Sequence, residues 1–111
     1  MKKYLLMSLL LLPLVGFCMT RHVSLDGTQA YTSIQTAIYD AQNGDVVLVY
    51  PGRYIENIDL SNKQNLILAS LEYTTGDTTY ISTTIIDGSA NLNSTVLCYS
   101  NADNLTIRAL S

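Results

Sequence analysis

Residues 32–54 read Thr-Ser-Ile-Gln-Thr-Ala-Ile-Tyr-Asp-Ala-Gln-Asn-Gly-Asp-Val-Val-Leu-Val-Tyr-Pro-Gly-Arg-Tyr, and this stretch decides the fold. Apolar residues of its first half fall at i, i+3, i+4 and i+7 and share one helical face: Ile34, Ala37, Ile38 and Ala41. Thr32 or Ser33 can accept hydrogen bonds from the free N–H groups of the first turn. Asn43-Gly44 supplies a left-handed residue at the other end. The sequence therefore predicts an amphipathic helix over residues 33–42.

A buried strand is predicted directly after this helix. Val46 to Val49 is an unbroken β-branched and aliphatic run, too short for a helix and bounded by turn residues. Pro51-Gly52 closes the run, because these two residue types favour turn backbone. The strand is expected over residues 46–50, and the later apolar runs of the chain repeat it.

Length and composition limit the chain to one folded domain. It has 111 residues, of which 48% are hydrophobic and only 14% charged, a balance typical of a protein with a core. From Arg21 onward, four basic residues stand against nine carboxylates, a net charge of about −5. Nucleic acid is excluded as a partner, because it needs clustered Lys and Arg.

The N-terminus has the layout of a secretory signal. Lys2-Lys3 precedes a leucine-rich apolar run, which is shorter than a membrane-spanning helix and is interrupted by Pro13. The expected division is a signal peptide over residues 1–20 and a domain over 21–111, in a secreted or cell-surface protein without a membrane span. Small residues allow cleavage after Cys18 (with Gly16 at −3) or after Thr20 (with Cys18 at −3). Bulky Phe17 disfavours a lipid anchor on Cys18.

Neither cysteine nor histidine indicates a cofactor. With the leader removed, Cys98 is the one cysteine left, and its apolar neighbours favour a buried small side chain over a reactive thiol. His22 is the single histidine and is expected to be solvated. No zinc spacing and no calcium-loop pattern is present in the sequence, so no metal or cofactor is predicted.

Apolar runs recur along the chain with a nearly regular period. They begin about 20 residues apart, an interval typical of solenoid repeats, at Val46, Leu66, Ile85 and Leu105. A second row of short runs lies between them, at Ile58-Asp59-Leu60, Tyr80-Ile81 and Val96-Leu97-Cys98. Residues 64–71 also match residues 103–110, two periods later. Residues 72–83 are expected to form a threonine-rich loop around a strand at Tyr80-Ile81.

A parallel β-helix explains this rhythm better than the alternatives. A βαβ sheet needs a helical crossover for each strand, and only one helix is predicted. An antiparallel sandwich favours hairpin turns at shorter spacing. The fold class expected is all-β: a parallel β-helix of about three coils with a short amphipathic capping helix. The last strand-like run has no stop signal, so we expect a truncated domain whose C-terminal edge continues into further coils or associates.

The same residues resemble the N-terminal cap and first coil of the right-handed parallel β-helix, or pectin-lyase-like, superfamily. The resemblance rests on Ser33-Ile34-Gln35, Ala37-Ile38, Ala41, Gly44-Asp45-Val46-Val47-Leu48-Val49, Pro51-Gly52-Arg53-Tyr54 and Glu56-Asn57-Ile58, and on the later Thr84-Ile85-Ile86-Asp87-Gly88 and Asn104-Leu105-Thr106-Ile107. It implies a right-handed coil. The family includes polysaccharide lyases, hydrolases, adhesins and surface repeat proteins, and no catalytic arrangement of its enzymes matches this chain.

Candidate site residues are few. Arg53, Tyr54 and Glu56 can form a carbohydrate-contact edge, but the favoured interpretation is that Tyr54 packs at a corner and Arg53 is solvated. Asp45 lies at the turn before the strand, where a carboxylate accepts backbone N–H groups, and a structural role is favoured over catalysis.

Turn positions account for most of the other polar residues. Asp26, Asp77 and Asp87 each stand beside glycine, where a turn is the ordinary explanation. Asn65 and Asn104 occupy equivalent turn positions and can stack as an asparagine ladder.

Two functions follow as expectations. The first is a non-catalytic, secreted or surface structural and binding module, with polysaccharide or a cell-surface component as partner. The second is the N-terminal part of a polysaccharide lyase or glycoside hydrolase whose catalytic residues lie beyond residue 111.

Overall fold

The computed structural model describes residues 18–90, 95–97, 104–108 and 110–111. Its strands are β1 Thr20–Val23, β2 Val46–Val49, β3 Gly52–Ile55, β4 Ile58–Asp59, β5 Ile67–Ser70, β6 Thr84–Asp87, β7 Val96–Leu97 and β8 Thr106–Arg108. Its helices are α1 Ile34–Asp40, α2 Glu72–Thr75 and α3 Thr79–Thr83. The leader up to residue 17, Cys98, and residues 91–94 lie outside the described residues, so the expectations for them stay predictions.

All pairs of described strands run parallel. Sheet A has the order β1-β2-β5-β8, sheet B pairs β3 with β6, and sheet C pairs β4 with β7. From β2 onward the chain passes through sheets A, B and C in turn (β2, β3, β4), repeats that order (β5, β6, β7), and enters sheet A again at β8. This leaves no described hairpin, so the antiparallel alternative does not hold for this part of the chain.

The register corrects the simple 20-residue period. Val46 pairs with Ile67 as the period requires, but Ile67 pairs with Thr106, nearly twice as far along the chain. Ile85 does not continue sheet A; it lies in sheet B opposite Arg53. The match of residues 64–71 with 103–110 therefore joins directly neighbouring strands rather than strands two repeats apart.

Two short helices between β5 and β6 lengthen the interval from Ile67 to Thr106. They also replace the strand expected at Tyr80-Ile81. Gly76 ends α2 with a left-handed φ of 72°. Asp77 Oδ1 then accepts hydrogen bonds from the N–H and the hydroxyl of Thr79, at 3.0 and 2.7 Å, where α3 begins. Thr83 also donates its hydroxyl to the carbonyl of Thr79. Local hydrogen bonds from Asp and Thr thus outweigh the strand preference of the tyrosine and isoleucine.

The predicted amphipathic helix is present but ends earlier than expected. Ser33 is the N-cap and accepts a hydrogen bond from the Thr36 N–H. Ala41 already has extended backbone, so α1 ends at Asp40. Gly44, with φ +87°, lies in the following turn and does not terminate the helix. The helix buries Ile34, Ala37 and Ile38 and contacts β1, β2 and β4.

Side chains in register form a core that opens toward β8. Val47, Leu68 and Ile107 are register partners on β2, β5 and β8, and their exposed fractions are 0%, 1% and 49%. The row is buried where neighbouring strands cover it and exposed on the edge strand of sheet A. The core is therefore closed on the α1 side and open on the β8 side among the described residues.

Candidate functional site

The three predicted carbohydrate contacts do not share one surface. Side chains alternate along β3, so Arg53 points outward while Tyr54 is 0% exposed. The Tyr54 hydroxyl donates to the carbonyl of Tyr50 at 2.9 Å, and burial raises its pKa. A sugar cannot stack on this ring. Tyr54 is corrected to a core residue, because the alternation that begins at Gly52 turns it inward.

Glu56 binds the start of α1 rather than facing solvent as a free acid. Its carboxylate accepts hydrogen bonds from the Ser33 hydroxyl and from the N–H groups of Ile34 and Gln35, at 3.0, 2.9 and 3.0 Å. A negative charge at a helix N-terminus satisfies orphan donors and favours the helix dipole. Glu56 therefore joins the segment between β3 and β4 to helix α1.

Replacing Glu56 with alanine is expected to lower the free energy of unfolding by about 1.5 kcal/mol, because three donors of the helix start lose their charged acceptor. Chemical denaturation of the purified protein measures the change. Glu72→Ala is the matched control, since Glu72 forms an ion pair with a half-exposed arginine that is worth under about 1 kcal/mol. Equal losses in the two variants would contradict the capping role.

Arg53 and Asp87 form an ion pair on the outward side of sheet B. Nε and Nη2 of Arg53 lie 2.9 and 2.6 Å from Oδ2 of Asp87. Hydrogen bonds from Ser89, with the Arg53 guanidinium as a further cause, lower the pKa of Asp87 to about 2.

The Asp87 carboxyl gives the protein a specific acid sensitivity. Its folded pKa of about 2 lies below the ordinary value of about 3.9, so the unfolded chain takes up this proton first as pH falls. The stability that Asp87 contributes is complete above pH of about 4 and is lost toward pH of about 2. Asp87→Asn is expected to show a shallower loss of stability across this window, measured by denaturant unfolding at each pH. Parallel profiles of the two proteins would contradict the assignment.

The outward side of sheet A carries polar and aromatic groups that the sequence did not reveal. His22, Leu48, Ala69 and Arg108 are register partners across four strands, and we call them the His22–Arg108 row. His22 Nδ1 lies 3.0 Å from the hydroxyl of Tyr50, and the two rings meet edge-on. His22 is half-buried, which corrects the expectation that it is solvated.

Arg108, at the β8 end of the row, belongs to a second cluster of polar and aromatic side chains. It forms a two-point ion pair with Glu72 and lies over the ring of Tyr73, 5.6 Å from its centroid. Neighbouring strands are about 4.8 Å apart, so His22 and Arg108 are separated by roughly 14 Å. Leu48 and Ala69 between them are buried. Tyr50 and Tyr73 therefore lie in two separate clusters, near the two ends of a row whose middle is buried.

Asp45 has the structural role that its position predicted. It is 0% exposed; its Oδ2 accepts from the Gln42 N–H and from Arg21 Nε, and its Oδ1 from the Met19 N–H. Burial raises its pKa, but these hydrogen bonds and the arginine charge outweigh burial and lower the pKa overall. Asp45 therefore joins β1 to the turn before β2.

The remaining polar predictions are confirmed as turn and ladder contacts. Asn104 Nδ2 donates to Asn65 Oδ1 at 2.7 Å, and both residues have left-handed backbone, with φ of 49° and 53°. Asp26, Asp77 and Asp87 each accept the N–H of the residue two positions later. These contacts set turns and register and leave the aspartates engaged locally.

No group of three or more His, Cys, Asp or Glu side chains in the described ranges is placed to hold a metal ion. No helix within those ranges has the length and apolar content needed to cross a membrane. A scan against protein-family models, a search of curated proteins and a search of solved structures each gave no match.

Proposed function

We propose that the chain forms the N-terminal cap and first coils of a right-handed parallel β-helix in an exported or cell-surface protein, with a non-catalytic structural and binding role. The observation that carries the proposal is the order in which the chain visits its sheets from β2 onward: A, B, C, then A, B, C and A again, always in parallel. A chain that coils around one core adds one strand to each sheet on every pass. Export rests on the leader of residues 1–20.

The cap is assigned to α1 and to the residues that bind both of its ends. Glu56 accepts from the N-terminal N–H groups, and Lys63 Nζ donates to the carbonyls of Tyr39 and Ala41 at 3.1 and 2.9 Å. Gln35 and Asp59 exchange two hydrogen bonds beside them. An anion at the start and a cation at the end of a helix both complement its dipole. The first coil thus anchors the helix that covers its core.

The binding role is assigned to the His22–Arg108 row with polysaccharide as the partner. Tyr50 and Tyr73 offer aromatic rings, and His22, Glu72 and Arg108 offer groups that can bond sugar hydroxyls. Aromatic rings with a polar edge are favoured at binding surfaces, because they bury area while keeping a hydrogen-bonding group.

The test is affinity electrophoresis of the purified protein through gels that contain polygalacturonate, alginate or a neutral glucan. At least one polymer is expected to retard the protein, and Tyr50→Ala with Tyr73→Ala is expected to remove at least half of that retardation. Tyr39→Ala is the matched control, since Tyr39 is 69% exposed on α1 and lies outside the row. Retardation that depends on Tyr39 instead, or none with any polymer, would contradict the binding role.

Turnover is measured on the same polymers by the release of new reducing or unsaturated ends. No release is expected, because the described carboxylates are engaged in caps, turns and ion pairs or, for Asp40, accept the Tyr31 hydroxyl. Cleavage by the purified 111-residue chain would contradict the non-catalytic role and favour a lyase or hydrolase.

A further inference from the structure

Met19, directly before strand β1, and Thr20, the first residue of β1, make specific contacts with the start of β2. The Met19 N–H donates to Asp45 Oδ1 at 2.8 Å, and the Val46 N–H donates to the carbonyl of Met19 at 2.9 Å. Thr20 is the register partner of Val46. Thr20 is therefore part of sheet A, and Met19 is joined to its first strands by hydrogen bonds.

Asp45, which accepts the Met19 N–H, belongs to a chain of hydrogen-bonded charged and polar side chains. Asp45 is buried and pairs with Arg21, whose Nη1 also donates to the hydroxyl of Tyr31 at 3.1 Å. That hydroxyl in turn donates to Oδ2 of Asp40 at 2.9 Å. One guanidinium thus serves two carboxylates. An α-ammonium group at the position of Met19 N would keep the contact with Asp45 Oδ1 and add a charge opposite to that carboxylate.

We propose that the leader is cleaved between Cys18 and Met19, and that the new α-ammonium group of Met19 forms an ion pair with Asp45. The inference rests on the proposed export of the chain. Hydrolysis adds water across the Cys18–Met19 peptide bond, leaving a carboxylate on the released leader and an ammonium on the mature protein. The nitrogen that is now an amide donor to Asp45 keeps its partner and gains a charge.

The two cleavage positions that small residues allow differ in what they remove from the fold. A cut after Thr20 removes the Met19 donor of Asp45, the Met19 acceptor of Val46 and the first register pair of sheet A. It leaves Asp45 buried with one donor fewer, and unsatisfied buried polar groups are costly. A cut after Cys18 keeps all three contacts. Residues 18 to 20 are exposed, so the bond is not enclosed by the fold.

The test is export of the full 111-residue chain from a secreting bacterial host, followed by intact mass and N-terminal sequencing of the exported protein. The expected N-terminus is Met19. Thr20→Leu is expected to leave it unchanged, because a leucine at residue 20 disfavours only the cut after residue 20. A start at Arg21, or at a lipid-modified Cys18, overturns the inference while leaving export intact. A cell-retained chain that keeps its leader overturns both the inference and the proposed export.

Labelling of the α-amine tests the ion pair itself. An exposed α-amino group has a pKa near 8, and pairing with a carboxylate keeps it protonated and unreactive. Acylation of Met19 at pH of about 7 is expected to be about tenfold slower in the folded exported protein than in urea, which corresponds to one pKa unit. Asp45→Asn is expected to remove most of that difference, and Asp40→Asn to reduce it less. Equal labelling rates in folded and unfolded protein would overturn the ion pair.

Discussion

Asp45→Ala is expected to lower the free energy of unfolding by about 3 kcal/mol, because it removes the acceptor of three donors at the start of sheet A. The Arg21 side chain is only 14% exposed, so its charge would be left with little water to replace the carboxylate. β1 would also lose its attachment to the turn before β2. Equilibrium unfolding in urea, followed by circular dichroism, measures the change.

Asp77→Ala provides the comparison for Asp45. Asp77 is an exposed turn aspartate that bonds only Thr79 among the contacts described above. Its replacement is expected to cost under about 1 kcal/mol, as is usual for surface positions. A loss for Asp45→Ala as small as that for Asp77→Ala would show that the buried network contributes little to folding.

Leu68→Ala is expected to cost about 3 kcal/mol, because a fully buried leucine leaves a cavity between the neighbouring strands. Its register partner on β8 should behave differently. Ile107 is 49% exposed, so Ile107→Ala is expected to cost under about 1 kcal/mol although the two residues belong to one row. The contrast measures where the core ends.

The pair of variants is compared by urea unfolding of proteins made in parallel. Similar large losses for both would mean that Ile107 is covered in solution by another part of a chain, and that the core does not open at β8. Similar small losses would mean that Leu68 is not a core residue, which would contradict the packing of sheet A.

Local patterns predicted helix α1 and the following turn well, because the interacting residues are neighbours in sequence. The i, i+3, i+4 spacing from Ile34 to Ala41 predicts α1, and the position of Asp45 beside Gly44 predicts its backbone contacts. The asparagine ladder followed from one internal match, since Asn65 and Asn104 occupy the same place in two copies of a pattern.

Long-range register was the part that the sequence could not supply. The 20-residue spacing predicted that Ile85 and Val46 lie in the same sheet. The sequence of a short apolar run does not show which sheet the strand joins. The helices α2 and α3, inserted before β6, shift that row into sheet B.

The prediction of the candidate site also failed where it depended on the register and orientation of strands. The side on which Tyr54 points depends on where the alternation of β3 begins, and His22 meets Tyr50 only because β1 lies beside β2 in register. A pattern within one strand does not show either relationship. The carbohydrate contact of Tyr54 was therefore wrong, whereas its packing at a corner, the favoured interpretation, agrees with its burial. The His22–Arg108 row was missed.

The most direct measurement of parallel, in-register stacking is disulfide formation between β3 and β6. In a background that replaces Cys18 and Cys98 with serine, Arg53→Cys with Ile85→Cys joins register partners on the outward side of sheet B. Neighbouring strands of about 4.8 Å spacing bring their Cα atoms within the range that a disulfide spans, whereas a shift of two residues does not. Arg53→Cys with Ile85→Cys is predicted to cross-link rapidly under mild oxidation, and Ile55→Cys with Ile85→Cys to remain reduced. Cross-linking of the second pair in preference to the first would contradict the register on which the stacked-strand fold depends.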